Sequence, residues 1–465
     1  MLTCFTARRS SGHIPVSLVT PDSLKSWRGT NAALSGQLDH LVFTARPGET
    51  AILRSASGAI EHVLFGVNAP VKFYDLAGLP AALVKAAPVS ILANSSFDLT
   101  GDIADRTNAY AGWALGCLQL SKDKKPVTTP TLAVEMDEAY QAAESHINAI
   151  TLLRDLVNKP SNLLGPDELE QAALDMARGV GAENINVIFD EDLNAQNFPL
   201  VYTVGMASTR RPRLIEFTIG NPRHPRVAIV GKGVCFDTGG LDIKPADGMR
   251  LMKKDMGGAA HALALAKLVG DAKLPVHLHV VIPAVENSID GNAFRPGDVY
   301  PSRKGLTVEI GNTDAEGRLI LADAMAYALE SKPDLLINFA TLTGAARAAM
   351  GTEVMPIFAN KDSTAQALQK VGLSIDDPMW HLPLWGPYRE DLDSDVADIG
   401  SVGGKAGMIT AALFLQAFVG AEQDWVHYDI YSWRDAAKPG RPKGGYETGL
   451  RAVFTYLQQR YAHKA

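Results

Sequence analysis

The chain has 465 residues, of which 46% are hydrophobic and 20% are charged, a composition typical of a globular protein with two or three domains. Its formal net charge of −7 argues against nucleic-acid binding as the main function. The longest apolar helix that the sequence predicts, residues 408–419, is too short to cross a bilayer. The three cysteines, Cys4, Cys117 and Cys235, are widely spaced, which favours a reducing cytoplasm over a disulfide framework. No apolar segment follows the basic N-terminus, so we expect no signal peptide.

The first 136 residues alternate short apolar runs with turn signals, which predicts a small α/β domain. No cluster of chemically reactive residues is evident in it. A stretch rich in Lys, Pro and Thr near its end is interpreted as a loop over residues 122–129. We predict short strands at 51–53, 61–65, 89–92 and 117–120, and a helix over 107–115.

A helix is predicted for residues 137–157. Pro160 marks its end, because proline disfavours helical backbone in the residue before it. We interpret residues 137–159 as a linker helix between the N-terminal domain, 1–136, and a larger domain, 160–465.

From residue 160 onward, the pattern changes to strand, glycine turn and helix. Continuous apolar strands that alternate with helices indicate an α/β domain with a mostly parallel central sheet covered on both faces. Such sheets bind their ligands beyond the carboxyl ends of their strands. Strands are predicted at 226–230, 276–282, 334–340 and 425–430, and helices at 167–180 and 257–270.

The densest group of charged residues is the run Asn-Thr-Asp-Ala-Glu-Gly-Arg-Leu at 312–319. It follows a strand-like segment, 306–310, and precedes a helical one, 319–329. Asp314 and Glu316 are two residues apart, so their side chains can leave an extended chain on the same side. Taken alone, Asp314 and Thr313 could simply cap the helix, with acidic residues favouring its positive end.

More charged side chains follow the other predicted strands, at Lys232, Asp237, Lys244 and Asp255. Each has a structural alternative: Asp237 could be a turn residue before glycines, and Asp255 a charge at a helix N-terminus. Together with the carboxylates at 314 and 316, however, these acidic groups repel one another unless cations neutralise them. Two divalent metal ions about 3.5–4 Å apart would do so and would form a hydrolytic site.

Other chemistries lack their motifs. The residues that follow Lys232 do not complete a phosphate-binding loop, and a Gly-x-Ser-x-Gly turn is missing. There is also no paired Cys-x-x-Cys and no His-Glu-x-x-His. His277 and His279 lie on one face of a strand, and we interpret them as core or interface histidines.

Seven segments carry a resemblance to a known family. In order and spacing they resemble the leucyl (cytosol) aminopeptidase family, over about residues 155–450, and the octapeptide at 312–319 is highly specific. The N-terminal part matches in size and position rather than in motif. The matching segments are 154–158, 230–233, 236–240, 243–245, 255–260, 312–319 and 341–345.

The resemblance implies a dinuclear metallo-aminopeptidase that releases the first residue of a peptide with a free N-terminus. It implies that Lys232, Asp237, Asp255 and Glu316 hold one Zn²⁺ or Mn²⁺, and that Asp237, Asp314 and Glu316 hold the other. A water between the two ions would attack the scissile carbonyl.

The resemblance also assigns catalytic and substrate-binding residues. Lys244 would donate to the developing oxyanion, and Arg318 would hold a bicarbonate that relays the proton. Tyr431 stands where the family often has a small residue, which makes a preference for leucine doubtful. The predicted substrate-binding residues are Met252, Thr341, Leu342, Gly344 and Tyr431.

By resemblance we expect a homohexamer in the cytoplasm, with no membrane association. Two alternatives remain at this stage. Some family members have lost metal ligands and persist as structural assembly proteins, but the matched ligands are intact here. Some bacterial members also bind DNA in a regulatory role, which the acidic balance does not support.

Overall fold

The computed structural model describes residues 2–8, 12–88, 92, 95–101, 103–118 and 129–462. The chain forms two compact units, which are Met1–Asn148 with Ala436–Lys443, and Ala149–Asp435 with Gly444–Ala465. The division at residues 136 and 159 that the sequence suggests stays a prediction. None of the described helices is both long and apolar enough to span a membrane.

The smaller unit contains a six-stranded sheet in the order β1-β6-β5-β2-β4-β3. The pairs are parallel except for β3 with β4, which is antiparallel. Helices Pro21–Thr30, Ala32–Leu41, Leu79–Ala86 and Arg106–Cys117 accompany it. The strands are β1 (Phe5–Ala7), β2 (His13–Val19), β3 (Thr50–Arg54), β4 (Ile60–Gly66), β5 (Ser96–Thr100) and β6 (Thr131–Val134).

Three predictions for this unit fall partly or wholly outside the described residues. They are the strands at 89–92 and 117–120 and most of the loop at 122–129. Where 117–120 is described, the strand prediction is wrong, because Cys117 is the last residue of a helix.

The linker helix, Glu138–Asn158, is close to its predicted bounds. Its second half supplies a fully buried cation, Arg154, which donates from Nε and Nη2 to the two carboxylate oxygens of Glu447 at 2.7 Å each. At the end of the helix, Asn158 accepts from the backbone nitrogen of Gly445 at 2.9 Å. These buried contacts give the segment 154–158 a structural role in the larger unit.

The larger unit is built on a nine-stranded sheet in the order β16-β15-β18-β14-β9-β11-β8-β7, with β10 also pairing with β11. Its centre, β18-β14-β9-β11, is parallel, so the predicted fold class is confirmed. The strands are β7 (Glu183–Phe189), β8 (Arg213–Ile219), β9 (Arg226–Gly231), β10 (Gly233–Asp237), β11 (His277–Asn287), β14 (Leu335–Ala340), β15 (Met355–Ala359), β16 (Met379–His381) and β18 (Trp425–Asp429).

Short strands and ten helices complete the described part of this unit. The short strands are β12 (Val299–Pro301), β13 (Thr307–Glu309), β17 (Ile399–Gly400), β19 (Trp433–Arg434) and β20 (Gly444–Gly445). The helices are Pro166–Gly179, Asp192–Ala195, Pro199–Gly205, Ala246–Met249, Gly257–Asp271, Glu316–Glu330, Gly344–Met350, Asp362–Ser374, Gly407–Val419 and Leu450–Tyr461.

Two helices bring the sheet and its polar edge together. Helix Glu316–Glu330 packs an apolar face against β9 and β11 in the main core cluster. Helix Gly257–Asp271 contacts β9 and β14, and it begins with glycines because there is no room for a side chain. A Cβ on Gly258 would lie 2.2 Å from the carbonyl oxygen of Phe339. This close approach places Asp255, just before the helix, beside the ends of β9 and β14.

Candidate active site

A cleft of about 560 Å³ opens at the carboxyl ends of the central strands. Every residue that the sequence analysis assigned to the site lines it, although the strands and loops that carry these residues are far apart in the chain. The lining includes Lys232, Asp237, Lys244, Met252, Asp255, Asp314, Glu316, Arg318, Thr341, Leu342, Gly344 and Tyr431.

A deeply buried cation of the cleft is Lys232, which follows β9 and is 3% exposed. Its Nζ lies 2.7 Å from Asp255 Oδ2 and 2.9 Å from Glu316 Oε1, and it donates to the carbonyl oxygen of Thr341 at 2.9 Å. The hydroxyl of Thr341 in turn donates to Asp255 Oδ1 at 2.8 Å. Lys232 therefore joins two carboxylates that come from different segments.

A second lysine, Lys244, contacts the cluster of carboxylates on the side nearer the mouth of the cleft. Lys244 Nζ lies 2.7 Å from Asp237 Oδ2 and also contacts Asp314 Oδ1. The other oxygen of Asp237 accepts from Asn287 Nδ2 at 2.9 Å and from the backbone nitrogen of Gly239 at 2.8 Å. Asn287 was not predicted, yet it is fully buried and fixes the orientation of Asp237.

The run 312–319 bends through a short 3₁₀ turn, Thr313–Ala315, into the helix Glu316–Glu330. Asn312 caps this turn by accepting from the backbone nitrogen of Asp314 at 2.7 Å. The capping alternative for Asp314 is wrong, because the helix begins at Glu316 and no side chain caps it. Asp314 is thus left at the mouth of the cleft and Glu316 at its base.

Burial and mutual repulsion shape the ionisation of these groups. Burial, with Asp255 adding to it, raises the pKa of Asp237 to about 6, and burial and Asp237 raise the pKa of Glu316 to about 8. Burial alone would lower the pKa of Lys232, but Asp255, Glu316 and Asp237 hold it above its ordinary value. Without a metal ion, the two ammonium groups are the cations that neutralise the carboxylates.

The donor set fits divalent metal ions. One carboxylate oxygen each from Asp237, Asp255 and Glu316 lies within 4.8 Å of the others. Glu316 Oε2 is buried and has no hydrogen-bond partner among the described residues, which is costly unless a cation binds there. Buried carboxylate oxygens with a lysine amine beside them are suitable ligands for a divalent metal ion. They differ from the cysteine-rich ligand set of a structural zinc site.

Arg318 lies on the same helix turn as Glu316 and is 8% exposed. Its Nη1 donates to the carbonyl oxygen of Ser401 at 2.6 Å, whereas its Nε has no partner among the described residues. Burial lowers the pKa of Arg318 to about 10, so the guanidinium is still charged at neutral pH. It is a fixed cation with a free donor in the cleft.

One side of the cleft is formed by the loop after β14. Asp429, at the end of β18, accepts from the backbone nitrogens of Leu342 and Thr343 at 3.1 Å each and from the Thr343 hydroxyl at 2.6 Å. Asp429 therefore fixes this loop, and Tyr431 forms the neighbouring wall. Asp429 was not among the predicted site residues.

We expect Gly317→Ala to weaken metal binding by roughly 10- to 100-fold, the range seen when a contact that orients a ligand is lost. A Cβ on Gly317 would lie 2.5 Å from Lys232 Cε and 2.7 Å from Lys232 Nζ, so the amine must move. Alanine favours the helix over glycine, which offsets part of the cost of moving the buried amine, so the metal-free variant should still fold. Calorimetric titration with Mn²⁺ and thermal melting of the metal-free proteins test both expectations, and an unchanged affinity would contradict the first.

Two family models match the chain. The cytosol aminopeptidase family, catalytic domain, matches residues 151–454, and the M17 aminopeptidase, N-terminal domain, matches residues 14–134. A probable cytosol aminopeptidase from Geobacter sp. (strain M21) is 39% identical over 392 residues, which is 82% of this chain and 76% of the relative. Another from Chlorobium limicola is 33% identical over 455 residues, 90% of each protein.

Solved structures agree with these sequence matches. The crystal structure of the cytosol aminopeptidase from Coxiella burnetii is similar with a TM-score of 0.91 and 42% identity, over 99% of this chain and 100% of that one. The bottromycin maturation enzyme BotP in complex with Mn is similar with a TM-score of 0.84 and 30% identity, over 97% of this chain and 100% of that one.

Proposed function

The chain belongs to the cytosol aminopeptidase family, and from this premise we propose how its cleft hydrolyses the first peptide bond of a peptide. Membership of the family makes the protein a metal-dependent exopeptidase that releases N-terminal amino acids. The assignments of individual residues below are our proposal.

The carboxylates and Lys232 divide into two overlapping ligand sets. Lys232, Asp237, Asp255 and Glu316 would hold one divalent ion, and Asp237, Asp314 and Glu316 the other. The observation that carries this division is Glu316 Oε2, a buried oxygen without a partner beside the carboxylate group. When bound, the metal pair supplies a Lewis acid and a water of lowered pKa.

Two cations beside the ligand sets serve the reaction itself. We assign Lys244 as the donor to the oxyanion that develops on the scissile carbonyl, because its ammonium already lies at the carboxylate group. Arg318 stays protonated and cannot act as a base. We propose that its buried guanidinium, with a free Nε, would hold a bicarbonate, which would supply a proton relay near the leaving amine.

The rest of the cleft positions the peptide. Thr341, Leu342 and Gly344 lie on the loop that Asp429 fixes, and Met252 and Tyr431 complete the lining. We propose that the backbone carbonyl of Leu342 positions the reaction intermediate and that Tyr431 narrows the side-chain pocket.

Further properties are proposed from the resemblance. They are Zn²⁺ or Mn²⁺ as the metals, a homohexameric assembly, a cytoplasmic location, and a catalytic domain that begins near residue 160. BotP, a related structure, was solved in complex with Mn. No observation favours a structural or DNA-binding role, and the complete set of ligands argues against loss of activity.

A panel of aminoacyl amides, offered to the purified protein with added Zn²⁺ or Mn²⁺, tests the proposed function. We expect release of the amino acid that depends on the metal and stops when a chelator is added. Failure to cleave any amide at several metal loadings would contradict the proposal.

Metal binding is expected to release protons and to tighten as the pH rises from about 6 to about 8. Lys232 must lose a proton to act as a ligand, and the raised pKa values of Asp237 (about 6) and Glu316 (about 8) mean that protons compete with the metal in this range. Titration calorimetry in buffers of different ionisation enthalpy measures the proton release.

The raised pKa values of Asp237 and Glu316 also determine how the stability of the metal-free protein changes with pH. Because folding raises these carboxyl pKa values, the metal-free protein should lose stability as the pH rises through them, up to about 8. The increase in Tm on adding Mn²⁺ should therefore grow across this interval. An increase in Tm that is independent of pH would contradict the assigned ligands.

A further inference from the structure

The cleft contains a buried cation, Lys254, that the proposed reaction does not use. The residue is 6% exposed and lines the cleft close to Tyr431. Among the described residues, the Lys254 side chain makes neither a hydrogen bond nor an ion pair, and its Nζ lies 4.9 Å from the centroid of the Tyr431 ring. A charged side chain that is largely buried without a hydrogen-bonded partner is costly, and such groups mark functional sites.

A second cation lies against the same ring. The guanidinium of Arg347, which also lines the cleft, is 5.0 Å from the centroid of the Tyr431 ring. Its Nη1 donates to the Tyr431 hydroxyl at 2.9 Å. The Tyr431 ring therefore contacts both the Lys254 ammonium and the Arg347 guanidinium by cation–π interactions.

The nearby carboxylates are already occupied. Asp255, next to Lys254 in the chain, contacts Lys232 and accepts from the Thr341 hydroxyl. Asp429 accepts from the loop after β14. A remaining carboxylate of the cleft, Asp247, is exposed and forms no ion pair with Lys254. Among the described residues, the wall of Lys254, Tyr431 and Arg347 thus presents two cations that are in direct contact with no carboxylate.

We propose that Lys254, Tyr431 and Arg347 form a subsite for a carboxylate on the side chain of the substrate's first residue, so that peptides beginning with Glu or Asp are preferred. This inference rests on the proposed function. Lys254 directly precedes Asp255, an assigned metal ligand, and the family resemblance implies that the free α-amine of the peptide would bind at the metal ions. The side chain that reaches this wall therefore belongs to the first residue.

An apolar first residue would fit the subsite less well. A leucine side chain would remove water from the Lys254 ammonium and offer it no partner. A carboxylate would instead form charge-assisted hydrogen bonds with the two cations. The terminal carboxylate of a dipeptide is a second source of the same chemistry, and amide substrates, which lack it, separate the two sources.

The decisive measurement is the ratio of kcat/KM for the glutamyl amide to kcat/KM for the glutaminyl amide, which have the same shape but differ in charge. We expect a ratio of about 10 or more in the unaltered protein, since a site built around a polar group strongly rejects a poorer match. Lys254→Met should lower this ratio at least about fivefold. A ratio near 1 in the unaltered protein, or a ratio that Lys254→Met leaves unchanged, overturns the subsite.

Lys253→Met is the matched control. Its ammonium donates to the carbonyl oxygen of Asn158 at 2.6 Å, away from the cleft lining, so this variant should keep the ratio. If Lys254→Met does not fold, Arg347→Gln at an exposed position should still lower the ratio, and an unchanged ratio would overturn the proposal.

Two further outcomes identify which proposal fails. If Lys254→Met slows a glutaminyl dipeptide more than the glutaminyl amide and leaves the ratio unchanged, Lys254 binds a terminal carboxylate and the side-chain subsite is overturned. If neutral amides are cleaved without a preference for Glu, this inference alone fails. If no amide is cleaved, the proposed function fails as well.

Discussion

Replacing Glu316 with glutamine is expected to lower kcat/KM for metal-dependent release of amino acids by roughly 10³-fold or more, the range that follows from losing several kcal/mol of metal-assisted stabilisation. Glutamine keeps the shape of the side chain but removes its charge and turns one oxygen into a nitrogen that cannot bind a cation. Glu316 belongs to both proposed ligand sets; its Oε1 lies near Lys232, and its Oε2 has no hydrogen-bond partner among the described residues. A single substitution should therefore disturb both ions.

The fold of this variant is expected to survive. Burial and Asp237 raise the pKa of Glu316 to about 8, so in the metal-free protein the group is largely a neutral acid at neutral pH, which glutamine resembles. Rates on an alanyl amide, the affinity for Mn²⁺ and the Tm of the metal-free protein should be compared with those of Glu330→Gln. That control lies at the other end of the same helix, where its carboxylate pairs with Arg303 near the surface. If Glu316→Gln released amino acids at a near-normal, metal-dependent rate, the proposed role of Glu316 as a metal ligand would be wrong.

The sequence alone predicted the centre of the larger unit well, because its strands are buried on both faces. The apolar runs predicted at 226–230, 334–340 and 425–430 are found as β9 (Arg226–Gly231), β14 (Leu335–Ala340) and β18 (Trp425–Asp429). Parallel strands of this kind are nearly continuous in hydrophobicity, so the pattern indicates both the strand and its position in the sheet.

The edge of that sheet was not predicted. Strand β7 mixes exposed and half-buried residues, and β8 pairs antiparallel to it. Neither has a long apolar run. Strand β11 was predicted to stop at Ile282, before Pro283, but it continues to Asn287 because the chain beyond still pairs with β10. Where such strands form and end depends on their pairing with segments that are distant in the chain. The local sequence gives no information about that pairing.

Contacts between segments that are distant in the chain also explain which site residues were missed. The metal-ligand candidates lie in motifs at strand ends, where their type and spacing are informative on their own. Asn287 was missed because β11 was predicted to be too short. Lys254 and Arg347 were missed because a charged residue near a helix usually has no specific role, and the contact of both with Tyr431 joins segments that are distant in the chain.

Replacing Lys244 with methionine is expected to lower kcat by about 10²–10³-fold, the usual cost of losing one oxyanion donor, without weakening metal binding. The Lys244 ammonium contacts Asp237 and Asp314, so it competes with a second cation for those carboxylates. Its removal should leave the affinity for Mn²⁺ equal or higher. Titration calorimetry and steady-state kinetics on the same preparation separate the two effects.

Lys232→Met is the control for Lys244→Met, because we expect it to lower the metal affinity as well as the rate. This substitution removes a proposed ligand, so its affinity for Mn²⁺ should fall together with its rate. If Lys244→Met instead lost metal affinity in parallel with its rate, Lys244 would act by holding the carboxylates in place, and its role as the oxyanion donor would be wrong. Two lysines that contact the same group of carboxylates would then differ only in depth, 3% against 14% side-chain exposure, and not in the step that each serves.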